Sequence, residues 1–157
     1  MPRFIADSML GTLAKWLRLL GYDTVYPPVS RDDDELVRMA HTEGRILLTR
    51  DRGIALRKSS RDVCIVVIKS DKLMDQIRET FSALNIDKPY DPKNFLTRCS
   101  VCNTELRRTD REEAAKSVPC VVLERHERFW KCDSCGRFYW EGTHWKRMSE
   151  FVCKIQC

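Results

Sequence analysis

Two sets of residues in this 157-residue chain have the types and spacing to do chemistry. The first is a series of acids that either close an apolar run or open a helical one: Asp7, Asp33 with Asp34, Asp51, and Asp71. The second is a pair of CxxC motifs, Cys99 with Cys102 and Cys132 with Cys135, with 29 residues between them. Carboxylates crowded together repel one another unless a divalent cation lies among them. A few hard oxygen ligands, with water completing the shell, suit Mg²⁺ or Mn²⁺. Such a site polarises a phosphodiester and prepares water for in-line attack. Four thiolates from two tight turns make a closed tetrahedral site of the structural zinc type. A closed site has no open position for substrate, so the acids and not the thiolates are where a reaction is expected.

The acids need a scaffold that brings them to one edge. Residues 3–6 are a short apolar run ending at Asp7. Residues 9–20 place Leu10, Leu13, Ala14, Leu17 and Leu20 at helical spacing, with Met9 and Trp16 widening the apolar face and Lys15 and Arg18 on the polar side. Gly21 suits the end of that helix. Residues 24–26 read as a strand stopped by Pro27 and Pro28. A second helix follows over 33–43, with Leu36, Val37 and Ala40 inward. Residues 45–49 read as a buried strand and 53–58 as one helical turn. The run VCIVVI at 63–68 reads as a strand covered on both faces, which makes Cys64 a core residue. Residues 72–84 form a third helix. Alternating strands and helices imply an α/β fold with a mainly parallel sheet flanked by helices. In that fold the C-terminal ends of strands and the N-terminal ends of the following helices share the edge where ligands bind. Every acid named above falls on it. An aspartate before a helix is also a common cap. Capping is the stronger explanation for Asp71, whereas Asp7 and Asp51 close apolar strands and are less easily explained that way.

Several chemistries are excluded. The sequence has no GxxxxGK[ST], no GxGxxG, no nucleophile elbow and no HExxH. Met9 stands where a paired-aspartate phosphotransferase would carry its second acid. No apolar stretch approaches the roughly 20 residues of a membrane span, and Asp7 interrupts any leader-like start, so a cytoplasmic protein with reduced cysteines is expected. The formal net charge is +5. Residues 1–92 carry 15 Lys/Arg against 14 Asp/Glu, and residues 93–157 carry 13 against 9. The basic excess therefore lies in the second part, which also holds eight of the 14 aromatic residues. Basic and aromatic residues together suit nucleic-acid contact, with a solvated basic surface on a small metal domain the alternative. Arg137, Trp140, His144, Lys146 and Arg147 are the candidate contacts. The proline-bearing stretch 87–93 reads as a linker between domains at 1–92 and 93–157. An insertion around 111–120 fills the long span between the CxxC pairs. His126 and His144 are not needed as ligands, His41 reads as a surface or boundary residue, and Cys120, Cys153 and Cys157 have no assigned role.

The chain resembles the Mut7-C RNase domain family, a branch of the PIN-like nucleases with a C-terminal zinc ribbon. The resemblance is carried by FIADSMLGTLAKWLRLLGYD at 4–23, DDEL at 33–36 with Ala40, RILLTRDR at 45–52, RCSVCN at 98–103 and FWKCDSCGRFYWEGTHW at 129–145. It implies a PIN-like parallel sheet flanked by helices, then a small zinc-ribbon domain, and a metal-dependent ribonuclease. It points to Asp7, Asp33 and Asp51 as Mg²⁺ or Mn²⁺ ligands, with Asp34 able to replace Asp33 and Asp71 the candidate fourth acid. It also suggests a role beside them for Thr49 or Arg50, the latter as an RNA contact. The function expected is hydrolysis of RNA phosphodiester bonds, with the zinc domain holding the RNA. The alternatives are a non-catalytic RNA- or ribosome-binding protein on a decayed nuclease fold, and a protein-interaction module.

Overall fold

The apolar run at the start of the chain forms β1 (Phe4–Ala6), buried along its whole length. In the structure, a computed structural model that describes residues 1–27, 32–87, 95–142, 148, 150, 151 and 153, β1 lies inside a four-stranded sheet. Its neighbours are β2 (Thr24–Val25) and β3 (Ile46–Thr49), and β4 (Ile65–Val67) pairs with β3 at the far side. All three pairings are parallel and the order is β2-β1-β3-β4. Strand residues alternate between faces. Phe4, Ala6 and Leu48 enter one core layer with α1 (Gly11–Leu19) and α4 (Leu73–Ser82). Ile5 and Leu47 enter the other, against Leu36, Val37 and Ala40 of α2 (Asp33–Glu43) and against Ile54. A short helix, α3 (Arg52–Ala55), follows β3 directly. Gly44 ends α2 in the left-handed conformation (φ 59°), where a Cβ would be strained.

Three sequence expectations change. The helix expected over 9–20 is split into a 3₁₀ turn (Ser8–Leu10) and α1. Arg18, expected on the polar side of that helix, is only 6% exposed. Its Nε donates to Thr24 O at 2.8 Å, and its Nη1 donates to Ser100 O at 3.3 Å and Val101 O at 2.7 Å. The polar face of α1 is covered by a segment some 80 residues downstream. Cys64, expected in the core, is exposed just before β4. That strand stands at the sheet edge, and only Val66 and Ile68 of the run are buried.

The second part of the chain forms a three-stranded antiparallel sheet, β5 (Arg107–Thr109), β6 (Phe129–Lys131) and β7 (Phe138–Trp140). The insertion between β5 and β6 folds as α5 (Arg111–Ala115) and α6 (Cys120–Arg125). Their Ala114 and Leu123 pack with Phe129, with Phe138 and Trp140 against them. Tyr139, between those two aromatics on β7, faces the other way and packs against the first core. Phe95, Leu96 and Met148 are buried in that same core, and the Leu96 amide donates to Leu19 O at 3.0 Å. The expected linker at 87–93 falls, apart from Asp87, outside the described residues.

Candidate functional site

The strand order places a topological switch point between β1 and β3. The chain leaves β1 for β2 on one side and returns to β3 on the other. A crevice forms at the C-terminal ends of strands at such a point. Asp7 follows β1 there and Asp51 follows β3. A hollow of about 140 Å³ lies at this place, lined by Asp7, Asp33 and Asp51 with Ser8, Met9, Leu36 and Ile54 among its walls.

Asp7 is buried, with 6% exposure, and each of its oxygens is held. Oδ1 accepts the Met9 amide at 2.8 Å, capping the 3₁₀ turn. Oδ2 accepts the Thr49 hydroxyl at 2.5 Å and the Arg50 amide at 2.9 Å. Thr49 Oγ1 in turn accepts the Asp51 amide at 3.0 Å. One hydroxyl thus ties the Asp7 side chain to the Asp51 backbone. Asp51 caps α3, its Oδ1 accepting the Gly53 amide at 2.6 Å. A Cβ at residue 53 would meet that oxygen at 3.0 Å, so glycine permits the close approach. Asp33 Oδ2 accepts Arg57 Nη2 at 2.7 Å, and Asp34 Oδ1 accepts Arg57 Nη1 at 3.0 Å. Asp34 first, then Asp33, hold the half-buried Arg57 guanidinium above its usual value. Oδ1 of Asp33 and Oδ2 of Asp51 have no hydrogen-bond partner among the described residues.

Asp34 lies beside the hollow without lining it. Asp71 stands further off: it is mostly exposed and pairs with Arg50 Nη2 at 2.5 Å. It does not cap α4, whose N-cap is Lys72 with no side-chain bond. The three lining carboxylates are not gathered as tightly as the cysteines. Among the described residues, the cysteines are the only group of metal-ligating side chains drawn within 4.8 Å of one another. The donor set of the hollow is all-oxygen, which suits a hard cation that keeps several waters.

The four cysteines, Cys99, Cys102, Cys132 and Cys135, bring their sulfurs together from two matching knuckles. In each knuckle a left-handed residue follows the second cysteine, Asn103 (φ 70°) and Gly136 (φ 74°), and its amide donates back to the first cysteine's carbonyl. Sγ of Cys99 is 3.6 Å from that of Cys135, and Sγ of Cys102 is 3.3 Å from that of Cys132. Tetrahedral thiolates about 2.3 Å from a central zinc would stand about 3.8 Å apart, so the cage is close to the size such an ion needs. Burial opposes ionisation of Cys102, but its contacts with Thr104, Cys132 and Cys99 outweigh burial and pull it down to about 6. Burial pushes Cys132 up to about 12. Burial, then Cys99, raises the Tyr139 hydroxyl, so it remains protonated beside the Cys99 sulfur at 3.1 Å. Four ordinary thiols in one cage cannot all ionise; a cation at their centre lifts that restriction. The set fits a metal such as zinc.

The sequence model of the Mut7-C RNAse domain matches residues 2–152. The chain belongs to this family. Comparison with curated proteins and with solved structures gives no significant match. The Mut7-C match spans the acid hollow and the cysteine cage together, so both are parts of one family domain.

Of the expected RNA contacts in this Mut7-C chain, Arg50 is half-buried and paired with Asp71, and Arg137 is exposed. Trp140 is half-buried in the small core around Phe129. His144, Lys146 and Arg147 lie outside the described residues. Arg57, Arg18 and Asn103 make bonds that residue spacing cannot assign. The partners of Arg57 lie 23 and 24 residues away, and those of Asn103 and two of the three of Arg18 about 80. No helix among the described residues is long and apolar enough to cross a membrane.

Proposed function

We propose that this chain is a metal-dependent ribonuclease. In this reading a PIN-like domain at 1–92 carries the reaction, and a zinc-ribbon domain at 93–157 holds the RNA. One observation carries it: three acids from three different elements line a single hollow at the switch point of the sheet, in a chain of an RNase domain family. Asp7, Asp33 and Asp51 are the residues that would hold Mg²⁺ or Mn²⁺. Such an ion supplies charge neutralisation and polarisation of the scissile phosphodiester when bound. The residues around them do the orienting. Thr49 and the Arg50 amide fix Asp7, Gly53 fixes Asp51, and Asp33 presents its unbonded Oδ1. Leu36 and Ile54 belong to the apolar part of the wall. The zinc centre lies outside the reaction. The basic excess of the second part, with Arg137 exposed and Lys146 and Arg147 nearby in sequence, supports attraction of the RNA backbone.

The caps made by Asp7 and Asp51 favour a second reading, a non-catalytic RNA-binding protein in which these acids serve the fold alone. Cleavage of single-stranded RNA by the full chain, loaded with zinc and then assayed with and without added Mn²⁺, separates the two. Cleavage that needs added Mn²⁺ supports the nuclease. Binding without cleavage supports the alternative.

A further inference from the structure

The three acids of the hollow are held in different ways. Asp7 and Asp51 are fixed by donors next to them on β3 and α3. Asp33 has no such neighbour. It opens α2, whose N-cap residue Asp32 makes no side-chain cap bond, and its carboxylate is gripped from another element by Arg57. Among the described residues, Arg57 is the one side-chain cation bonded to an acid that lines the hollow.

The segment carrying Arg57 is itself well anchored. It begins at Asp51, the cap of α3. At its far end the Arg57 amide donates to Ile54 O at 3.2 Å, and the buried Ser60 hydroxyl donates to the same carbonyl at 2.6 Å. Ser59 Oγ adds a 3.3 Å contact to Asp34 Oδ1. Residues 51–60 therefore form a bracket with one lining acid at its start and a guanidinium at its end holding another. The fork of Arg57 takes Oδ2 of Asp33, a residue that lines the hollow, and leaves its Oδ1 without a bond among the described residues. The two ends of the guanidinium take one carboxylate each, Asp33 through Nη2 and Asp34 through Nη1, so it fixes where these two acids stand relative to each other.

We propose that Arg57 is a positioning residue of the acid site: it holds Asp33 in register with Asp7 and Asp51, leaving one oxygen for the divalent ion. The proposal rests on the ribonuclease reading and adds a residue to it. Outer partners of metal-binding side chains alter metal affinity by about 10–100-fold when removed. The test uses the full chain with its cysteine site pre-loaded with Zn²⁺, titrated with Mn²⁺ and followed by the electron paramagnetic resonance of the free ion. Arg57→Ala should weaken Mn²⁺ binding by about 10–100-fold. Arg57→Lys should recover part of that loss, because a point charge replaces the charge and not the fork. RNA cleavage by Arg57→Ala should regain its rate at saturating Mn²⁺, and the melting temperature of the zinc-loaded chain without Mn²⁺ should match the wild type, which a merely structural role would not allow. Asp34→Asn should lose less than Arg57→Ala, since Arg57 keeps Asp33. Wild-type binding with an unchanged or tighter Arg57→Ala overturns the proposal and leaves the ribonuclease reading standing. A wild-type chain that takes up no Mn²⁺ and cleaves no RNA overturns both.

Discussion

The acid hollow and the cysteine cage sit at opposite ends of the same strands. Asp7, Thr49 and Asp51 gather where β1 and β3 end. The knuckle at 99–103 docks where β1, β2 and β3 begin: Asn103 Nδ2 donates to Asp23 Oδ1 at 2.7 Å and its Oδ1 accepts the Thr24 amide at 3.0 Å. Arg18 binds two carbonyls of the knuckle turn. With strands of three or four residues, the two ends are about 10 Å apart along the chain direction. At the hollow the side chains are polar, bonded to their own loops and only loosely gathered. At the cage the sulfurs already stand near metal-bonding separations, and the turn is tied to the other sheet. The difference assigns separate tasks to the two centres. In the proposed reading an ion at the hollow would serve the reaction, and an ion at the cage would keep the two sheets joined.

The largest effect that would break this comparison is loss of the cage. Structural zinc sites contribute on the order of 10 kcal/mol of apparent folding free energy. Cys99→Ser should therefore unfold residues 95–142, and the damage should cross into the first sheet. Hydrogen exchange should show lost protection at the C-terminal turn of α1 and at β2, with the β1–β3 ladder protected longest. Unchanged exchange at Thr24 and Val25 would mean that the cage stands alone.

A smaller effect is expected at the junction. Arg18→Met keeps bulk but removes the donors to Thr24 O, Ser100 O and Val101 O. The loss should be about 3 kcal/mol, or a melting temperature lower by about 6–12 °C, with the metal content of the cage unchanged. Asn103→Gly keeps the left-handed backbone and loses both bonds to the first sheet, which should cost about 1–2 kcal/mol.

The smallest effect is in the pH dependence. Burial alone would raise Asp23, but bonds from Arg45 and Asn103 outweigh it and hold the carboxyl below its usual value. A folded-state value below the unfolded one adds stability that is present above the unfolded value, about 3.9, and is lost as pH falls through the lower folded one. Acid unfolding should thus carry a contribution from Asp23 below about pH 4. The acid limb of a stability–pH curve should be shallower in Asn103→Gly. Equal limbs would remove Asn103 from the account of Asp23.

The succession of strands and helices along the chain and the acid edge were legible because each rests on local pattern. An apolar run closed by an acid and followed by helical spacing describes Asp7 and Asp51 without knowledge of distant partners. The two CxxC pairs are legible for the same reason, since turn and ligand are adjacent in sequence. Asp33 and Asp34 both fit the start of α2, and only the placement of α2 against β3 puts Asp33 at the wall. Arg18 was misread because spacing along α1 cannot show that a turn from the second sheet covers its polar side. Cys64 was misread because an apolar run says nothing of whether its strand is central or at an edge. Asp71 follows β4, on the far side of β3 from β1, so sharing the edge does not bring it to the hollow.

The central claim is that the acids of the hollow serve a reaction and not only the ends of short helices. Asn caps a helix about as well as Asp, so Asp51→Asn keeps the bond to the Gly53 amide while removing a charge. Asp7→Asn is a poorer probe, because its amide would face the Thr49 and Arg50 donors and cost stability as well. The deciding measurement is Mn²⁺-dependent cleavage of single-stranded RNA by the zinc-loaded Asp51→Asn chain beside the wild type, with melting temperatures recorded for both. The account predicts cleavage reduced by more than about 100-fold at an unchanged melting temperature. Equal cleavage by the two chains would contradict it and leave Asp51 a helix cap.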